Sequence, residues 1–304
     1  MTRPVILDCD PGTDDALALL LALASPEITL LAVTVAGGNV GLDRTLANAL
    51  ALTALARANV PVYAGADRPL LGAYGFAAHV HGEDGLAGLR LPPGGAPSPG
   101  IAADVIRGLL REAPERVTLV GIAPATNLAL ALMTEPALAE NIEAIVLMSG
   151  AWGEGNVTPS AEFNAWNDPE ALAALLACGR PVCLATLDLT AQALVTPARR
   201  AALRARGGGA CLTAACDILD AVPPSRRLGG FPLHDPCAIA WLIRPGLFTA
   251  RDCAISAELA GAGRGRTHVD RWARTGAPAN ATLLETLDAD GFFDLLGERL
   301  ATLP

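Results

Sequence analysis

The chain has 304 residues, of which 52% are hydrophobic and 17% charged, a composition that excludes a disordered chain and supplies a large core. Its 22 basic and 31 acidic residues give a net charge of −9, so we expect neither nucleic acid nor an anionic membrane as a partner. All 22 basic residues are arginine, which excludes Schiff-base, P-loop and other lysine-dependent chemistry.

Short apolar runs alternate with longer segments rich in alanine and leucine. The runs predict strands over 4–8, 28–35, 60–65, 116–121, 142–148 and 180–185, and the segments predict helices near 14–24, 42–58, 100–112, 126–133, 168–178 and 198–205. Continuous apolar strands separated by helices are typical of a parallel sheet covered on both faces. We therefore expect an α/β fold with an open, doubly wound, mostly parallel sheet and helices on both faces.

Two long segments do not follow this alternation. Residues 66–99 are rich in glycine and proline, and 206–233 contain a glycine triplet, a helix-like LTAACDILDAV and then PPSRRLGGFPL. Loops of this length inside a compact domain are usually functional or mobile. Since the chain shows no interior linker and no internal repeat, we expect one domain over 1–304 with elaborated active-site loops.

The seven cysteines indicate the cellular compartment. Their number is odd, they form no CxxC pair, and most lie in apolar runs, which predicts buried free thiols in a reducing compartment. The N-terminus enters the first strand without room for a signal peptide, and the longest apolar stretch, 16–24, is too short to cross a bilayer. These features predict a cytoplasmic protein.

Four carboxylates lie within eight residues directly after the first predicted strand: Asp8, Asp10, Asp14 and Asp15. A helix N-terminus favours acidic residues, which explains Asp14 and Asp15 but not the two at the end of a buried strand. Carboxylates gathered in a buried place persist if a cation neutralises them or if some become protonated. Because oxygen ligands alone favour Ca²⁺ or Mg²⁺, we predict a divalent metal site here.

Two other chemistries fit this segment less well. An Asp-x-Asp after a first strand resembles the aspartyl-phosphate phosphatases, but those enzymes need a lysine and this chain has none. Cys9 could be a nucleophile, but the flanking Asp8 and Asp10 are expected to raise the pKa of its thiol and suppress the thiolate.

The segment DCDPGTDDALALLLALASPEI, which begins at Asp8, resembles the N-terminal signature of the inosine-uridine-type nucleoside hydrolases, or nucleoside N-ribohydrolases. Eight further blocks follow in the family's order: GGNV (37–40), HGEDGL (81–86), APATNLALAL (123–132), MSGAW (148–152), GNVTPSAEFNAWNDPEA (155–171), LDLT (187–190), HDPCAIAWL (234–242) and NATLLETLDADGFFDLL (280–296). The resemblance spans nearly the whole chain. The DCDP opening and the HGEDGL block most resemble the pyrimidine-preferring bacterial branch.

This resemblance implies Ca²⁺-dependent hydrolysis of ribonucleosides to ribose and free base, used in salvage, by a homotetramer or homodimer. The metal ligands that it implies are Asp10, Asp15, the backbone carbonyl of Thr126, and Asp235. It also implies that Asp10 is the general base for a metal-bound water and that His234 is the acid for the leaving base. The remaining implied contacts are Asp14 and Asn164 to the ribose diol, Asn39 near the water and ribose, Asn156 and Glu162 to the 5′-hydroxyl, and His81 to the leaving base.

The residues themselves support this placement and this chemistry. Asp10, Asn39, Thr126 and the loop 149–164 each follow a predicted strand's C-terminal end, where open α/β sheets bind ligands. N-glycosidic cleavage passes through an oxocarbenium-like state that nearby negative charge stabilises. A metal makes bound water a better nucleophile, and acid assistance to the leaving base is worth about 10²–10⁴ in rate.

Plain structural roles also exist for several of these residues. Asn39 fits a left-handed turn residue, and His234 fits a polar cap at the start of an apolar helix. Glu162 and Asn164 flank Phe163 with period-two spacing, which predicts an extended segment with both polar side chains on one side.

The segment before His234 departs from the family pattern. Similar members often carry aromatic and polar side chains there that cover the base, whereas this chain reads DILDAVPPSRRLGGFPL without tyrosine or tryptophan. Val222 and Arg226 fall where base-contacting side chains are expected. A second hypothesis is therefore a non-catalytic nucleoside- or ribose-binding protein that retains the metal site.

Overall fold

The strands alternate with helices along most of the chain in the computed structural model, which describes residues 2–223 and 229–304. The strands are β1 (Arg3–Cys9), β2 (Ile28–Val35), β3 (Val62–Ala64), β4 (Val117–Gly121), β5 (Ile142–Met148), β6 (Val182–Ala185), β7 (Leu194–Val195), β8 (Phe231–Pro232), β9 (Phe248–Ala257), β10 (Thr267–Asp270) and β11 (Ala281–Leu287). Arg226 lies outside the described residues.

The α-helices of the described residues separate most of these strands. They are α1 (Thr13–Leu23), α2 (Leu42–Leu55), α3 (Ala78–His81), α4 (Ala102–Glu112), α5 (Thr126–Thr134), α6 (Phe163–Asn167), α7 (Pro169–Leu176), α8 (Leu187–Thr190), α9 (Pro197–Ala205), α10 (Ala210–Ala221), α11 (Pro236–Ile243) and α12 (Ala289–Leu300). Across 2–223 and 229–304, every helix is too short or too polar to span a bilayer.

Nine of the described strands form one sheet in the order β10-β9-β11-β6-β5-β4-β1-β2-β3, and β7 pairs with β8 separately. The strands from β3 to β11 in this order run parallel, whereas β9 pairs antiparallel with β11 and β10 antiparallel with β9. The chain leaves β1 towards β2 and β3 on one side and later adds β4, β5 and β6 on the other. The order therefore reverses between β1 and β4, where open sheets of this kind bind ligands.

Both faces of the sheet are covered, because successive side chains of β1 enter two different cores. Val5, Leu7 and Cys9 pack with apolar residues of α1, α10, α11 and α12, whereas Ile6 packs with residues of α4, α5 and α7. All four side chains are fully buried. The predicted open, doubly wound, mostly parallel α/β sheet is confirmed, together with its six predicted strands. The segment of β9, β10 and β11 extends the sheet beyond that prediction.

Candidate active site

The predicted site residues gather at the C-terminal ends of the parallel strands, around the reversal between β1 and β4. Asp10 follows β1, Thr126 opens α5 after β4, and Asp235 directly precedes α11. A cavity of about 310 Å³ opens there. Eight of the predicted residues line it: Asp14, Asn39, His81, Asn156, Glu162, Asn164, His234 and Asp235. Asp10, Asp15 and Thr126 lie almost completely buried.

The turn between β1 and α1 wraps around the carboxylate of Asp15. Its Oδ1 accepts the backbone N–H of Asp10 at 3.1 Å. Its Oδ2 accepts the N–H of Gly12, the N-cap of α1, at 3.0 Å, which satisfies a donor that the helix start leaves free. Asn39 joins this turn, because its Nδ2 donates to Asp15 Oδ2 at 2.8 Å and its backbone N–H donates to Asp10 Oδ2 at 2.7 Å. The expectation of a left-handed turn at Asn39 is wrong, since its φ is not positive.

Two glycines allow this close packing. A Cβ on Gly38 would lie 2.1 Å from Asp10 Oδ2, and one on Gly12 would lie 2.7 Å from Asn39 Nδ2 and 2.8 Å from His81 Nδ1. Real Cβ atoms do not approach other atoms so closely. Both positions therefore need glycine for space rather than for an unusual backbone conformation.

An acidic cluster in this site could hold a metal ion. Ligand atoms of Asp14, Asp15 and Asp235 lie within 4.8 Å of one another, and all three residues are buried. Beside them, Asp10 Oδ1 is buried with no hydrogen-bond partner among the described residues. An unpartnered carboxylate oxygen next to three further carboxylates is the oxygen-only donor set that a hard divalent cation prefers. The residues therefore fit such an ion.

The carboxylates of this cluster are stabilised either by protonation or by a bound cation. Burial first, and then the charge of Asp15, raises the pKa of Asp10 well above its ordinary value. Burial and then the charge of Asp14 raise the pKa of Asp15 to about 7. Burial, followed by the charges of Asp14, Asp15 and Asp10, raises the pKa of Asp235. Removing several carboxylates from water in one place costs free energy that a bound cation offsets.

A second set of hydrogen bonds fixes Thr126 and was not predicted from the sequence. Thr126 Oγ1 donates to Asp168 Oδ2 at 2.6 Å and lies 2.8 Å from the Tyr74 hydroxyl. Asp168 also accepts the backbone N–H of Leu70 at 2.8 Å and, as the N-cap of α7, that of Ala171 at 3.0 Å. These contacts hold the loop after β3 against the start of α5.

Glu162 and Asn164 stabilise the loop that follows β5. Glu162 is the N-cap of α6, and its carboxylate accepts the backbone N–H groups of Gly150 (2.8 Å), Asn164 (2.8 Å) and Ala165 (2.9 Å). Burial outweighs these donors and raises its pKa to about 6. Asn164 Nδ2 donates to the carbonyls of Ile122 and Met148. The predicted extended segment is therefore wrong, because Asn164 lies in a helix. Asn156 is exposed at the cavity rim.

Each of the two predicted base-facing histidines has Nδ1 engaged by a threonine. His81 Nδ1 accepts the backbone N–H of Thr13 at 3.1 Å, and His234 Nδ1 lies 2.7 Å from Thr190 Oγ1. Burial lowers the pKa of both imidazoles, against the charge of Asp14, which raises it. The expectation of His234 as a helix cap is wrong, because Asp235 occupies the N-cap of α11.

Apart from His79, the rest of the cavity wall is apolar, and it includes residues that were not predicted from the sequence. Phe76, Val80 and Phe231 line it, whereas Val222, which was expected to contact the base, is buried outside the lining. Phe231 lies near the end of the divergent segment before His234, so this segment does bring an aromatic side chain to the cavity.

The cysteines are consistent with structural roles. Burial, and then the charges of Asp15, Asp8 and Asp10, raises the pKa of the Cys9 thiol, which disfavours the nucleophilic thiolate. All seven cysteines of the chain are described, and each is unpaired.

The fold and the site define an α/β protein with a ligand cavity at the strand reversal and an acidic cluster suited to a divalent cation. Residues 5–294 match the sequence profile described as inosine-uridine preferring nucleoside hydrolase, and the chain belongs to that family. It is therefore an enzyme, a nucleoside hydrolase.

Relatives from bacteria match over the full length. The chain is 46% identical over 310 residues to the pyrimidine-specific ribonucleoside hydrolase RihA of Shewanella woodyi, covering 99% of both chains. It is 46% identical over 308 residues to the protein of the same name from an Enterobacter species, covering 99% of this chain and 98% of the relative. The solved purine-preferring ribonucleoside hydrolase from Gardnerella vaginalis superposes with a TM-score of 0.91 at 30% identity, covering 99% of this chain and 98% of that one.

Proposed function

We propose that this enzyme uses Ca²⁺ to hydrolyse the N-glycosidic bond of pyrimidine ribonucleosides, releasing ribose and free base for salvage. The observation that carries this proposal is the buried cluster of Asp14, Asp15 and Asp235, of which Asp14 and Asp235 line the cavity. Asp10 adds a buried Oδ1 that has no hydrogen-bond partner among the described residues. The preference for pyrimidines is supported by the names of the relatives that are 46% identical. The structural neighbour named purine-preferring is less similar in sequence, at 30% identity.

The proposed metal ligands are Asp10, Asp15, the Thr126 carbonyl and Asp235. When bound, Ca²⁺ would supply positive charge that polarises the ribose 2′- and 3′-hydroxyls and acidifies water. The hydrogen bonds of Asn39 to Asp10 and Asp15, and those that fix Thr126, keep these donors in place before any ligand arrives. Such pre-arranged donors lose less conformational entropy when the ion binds.

The proposed reaction is a displacement at the ribose C1′ by water. Asp10 Oδ1 accepts the proton as the water oxygen bonds to C1′ and the bond to the base nitrogen breaks. The base leaves with the bonding electron pair and receives a proton from His234. Since the ribose passes through a cationic oxocarbenium-like state, the surrounding carboxylates stabilise it.

Contacts to the sugar hydroxyls would make the enzyme require a ribonucleoside. Asp14 and Asn164 would bind the 2′- and 3′-hydroxyls, with Asn39 beside the attacking water. Glu162 and Asn156 would bind the 5′-hydroxyl from the loop after β5. Four of these residues, Asp14, Asn39, Glu162 and Asn164, are less than a tenth exposed. Hydrogen bonds to the fold already hold the side chains of Asn39, Glu162 and Asn164 in place.

A hydrolysis panel tests this proposal. Purified protein is incubated with uridine, cytidine, inosine and 2′-deoxyuridine, in a chelator and after Ca²⁺ is restored, and released sugar is measured. We expect release from uridine and cytidine with Ca²⁺, less from inosine, and little from deoxyuridine or in chelator. No ribose release from any ribonucleoside would refute the proposal. Stable uridine binding in a calorimeter without product would instead favour the non-catalytic binding protein.

We also propose that residues 1–304 form one domain and that the protein assembles as a homotetramer or homodimer, as members of the family do. Light scattering of the purified protein measures the assembly. A single unfolding transition by calorimetry is expected for one domain, and two separate transitions would contradict it.

A further inference from the structure

The hydrogen bonding of His81 restricts where its ring can carry a proton. Its Nδ1 accepts the backbone N–H of Thr13 at 3.1 Å and lies 2.9 Å from Thr13 Oγ1. A backbone N–H can only donate, so Nδ1 must be the acceptor. The proton of the neutral imidazole therefore lies on Nε2.

The position of Thr13 opposes a charge on this ring. Thr13 is the first residue of α1, an 11-residue helix, so its N–H belongs to the group that the helix leaves without internal partners. The partial positive charge of a helix N-terminus disfavours a cation placed against it. Gly12 permits the approach, since a Cβ there would lie 2.8 Å from Nδ1.

The other ring nitrogen of His81 is available to a ligand. His81 lines the cavity and is 8% exposed. Within the described part of the chain, no hydrogen bond engages its Nε2, and this atom is not among the buried atoms without a partner. The Nε2–H group is therefore a donor that the cavity can use.

His234 differs from His81 in the nature of its partner. Its Nδ1 lies 2.7 Å from the hydroxyl of Thr190. A hydroxyl can donate or accept, so Thr190 can hold either neutral tautomer or the doubly protonated ring of His234. A residue that gives up a proton and regains it needs that freedom, and His81 lacks it.

We propose that His81 is a neutral imidazole, protonated on Nε2, that donates a hydrogen bond to an acceptor atom of the leaving base and does not act as its acid. This inference rests on the proposed function for the identity of the ligand. A carbonyl oxygen beside the glycosidic nitrogen, as in uracil and cytosine, is an acceptor of the required kind. Because the base gains negative charge as the bond breaks, the same donor stabilises the transition state more than the bound substrate.

Nitrogen-15 NMR of histidine-labelled protein tests the tautomer without any activity measurement. The chain has four histidines, so spectra of the native protein and of His81→Gln assign the His81 signals by difference. At neutral pH, with Ca²⁺ and in chelator, we expect Nε2 protonated and Nδ1 unprotonated. A proton on Nδ1, alone or together with one on Nε2, would overturn the proposal.

Substitutions of His81 distinguish a hydrogen-bond donor from an acid that gives its proton to the base. Gln places an amide N–H near the position of the imidazole Nε2–H, whereas Leu offers none. On uridine we expect His81→Leu to lower kcat by about 10²-fold, the usual cost of losing one such donor, and His81→Gln to stay within about 10-fold of the native enzyme. His234→Gln, the matched control, should fall as far as His234→Leu.

Equal loss in His81→Gln and His81→Leu would overturn the donor role. If the native protein cleaves no ribonucleoside, the proposed function fails, and the NMR spectrum still decides the tautomer of His81.

Discussion

Asp8 is a buried carboxyl that should make the metal-free protein less stable as pH rises. Its Oδ1 accepts from Thr34 Oγ1 at 2.6 Å and from Asn127 Nδ2 at 2.8 Å, but its Oδ2 is buried without a partner among the described residues. Burial outweighs the two hydrogen bonds and raises its pKa from 3.8 to about 7. The folded state therefore binds this proton more tightly than the unfolded state does.

The sign and size of the effect follow from linkage. Between pH 4 and 7 the folded state holds more protons on Asp8 than the unfolded chain, so stability is greatest below about pH 4 and falls as pH rises through 7. At about 1.4 kcal/mol for each pH unit between the two pKa values, ionised Asp8 costs the folded state about 4 kcal/mol. Asp8→Asn removes the charge, keeps an oxygen for both donors and preserves the volume.

Calorimetry in chelator at pH 5 and pH 8 measures this cost. At about 2 °C per kcal/mol for a chain of this size, Asp8→Asn should raise Tm by up to about 8 °C at pH 8 and by only about 3 °C at pH 5, which lies little more than one pH unit above the unfolded pKa of 3.8. Asp67→Asn is the control, because it removes the same charge from an exposed side chain, and it should have the same small effect at both pH values. An equal gain for Asp8→Asn at both pH values would refute the reasoning.

Three further substitutions test the site. Asp10→Asn should lower kcat on uridine by about 10³-fold, within the range of a general base, with unchanged circular dichroism; near-native turnover would contradict that assignment. Thr190→Val removes the hydroxyl 2.7 Å from His234 Nδ1 and should lower kcat about 10-fold, while Thr190→Ser stays near native, and equal loss in both would argue against this hydrogen bond. Gly12→Ala crowds His81 and should lower kcat/KM on uridine while costing about 1–3 kcal/mol in urea unfolding; unchanged kinetics would show that the ring tolerates displacement.

The sequence was most informative where strands are buried on both faces. Residues 4–7 of β1, most of β4 and all of β6 are apolar, because helices cover both sides of the parallel part of the sheet. Such runs are visible in the sequence without any tertiary information. β9 differs from these strands, because five of its ten residues, 249–252 and Ser256, are exposed in the antiparallel part of the sheet. Its residues FTARDCAISA carry no continuous apolar run, so its pairing with β10 and β11 identifies it as a strand.

The placement of the site followed from one topological fact. Residues that directly follow parallel strands meet at one edge of the sheet, so Asp10 after β1 and Thr126 after β4 were expected together although 116 positions separate them. The expectation needed only strand positions, which apolar runs supply.

The partners of these residues could not be predicted in the same way. Asp168 was placed at the start of a helix from its sequence context, and its contact with Thr126 requires two loops from distant positions to meet. The pairing of His81 with Thr13 likewise joins positions 68 residues apart, through a backbone N–H that every residue type except proline carries. A backbone N–H donor cannot be recognised from residue type, yet this one determines which nitrogen of the His81 imidazole holds the proton. The residue types at the site therefore indicate the reaction, whereas the division of tasks between its two histidines depends on the packing of the loops around them.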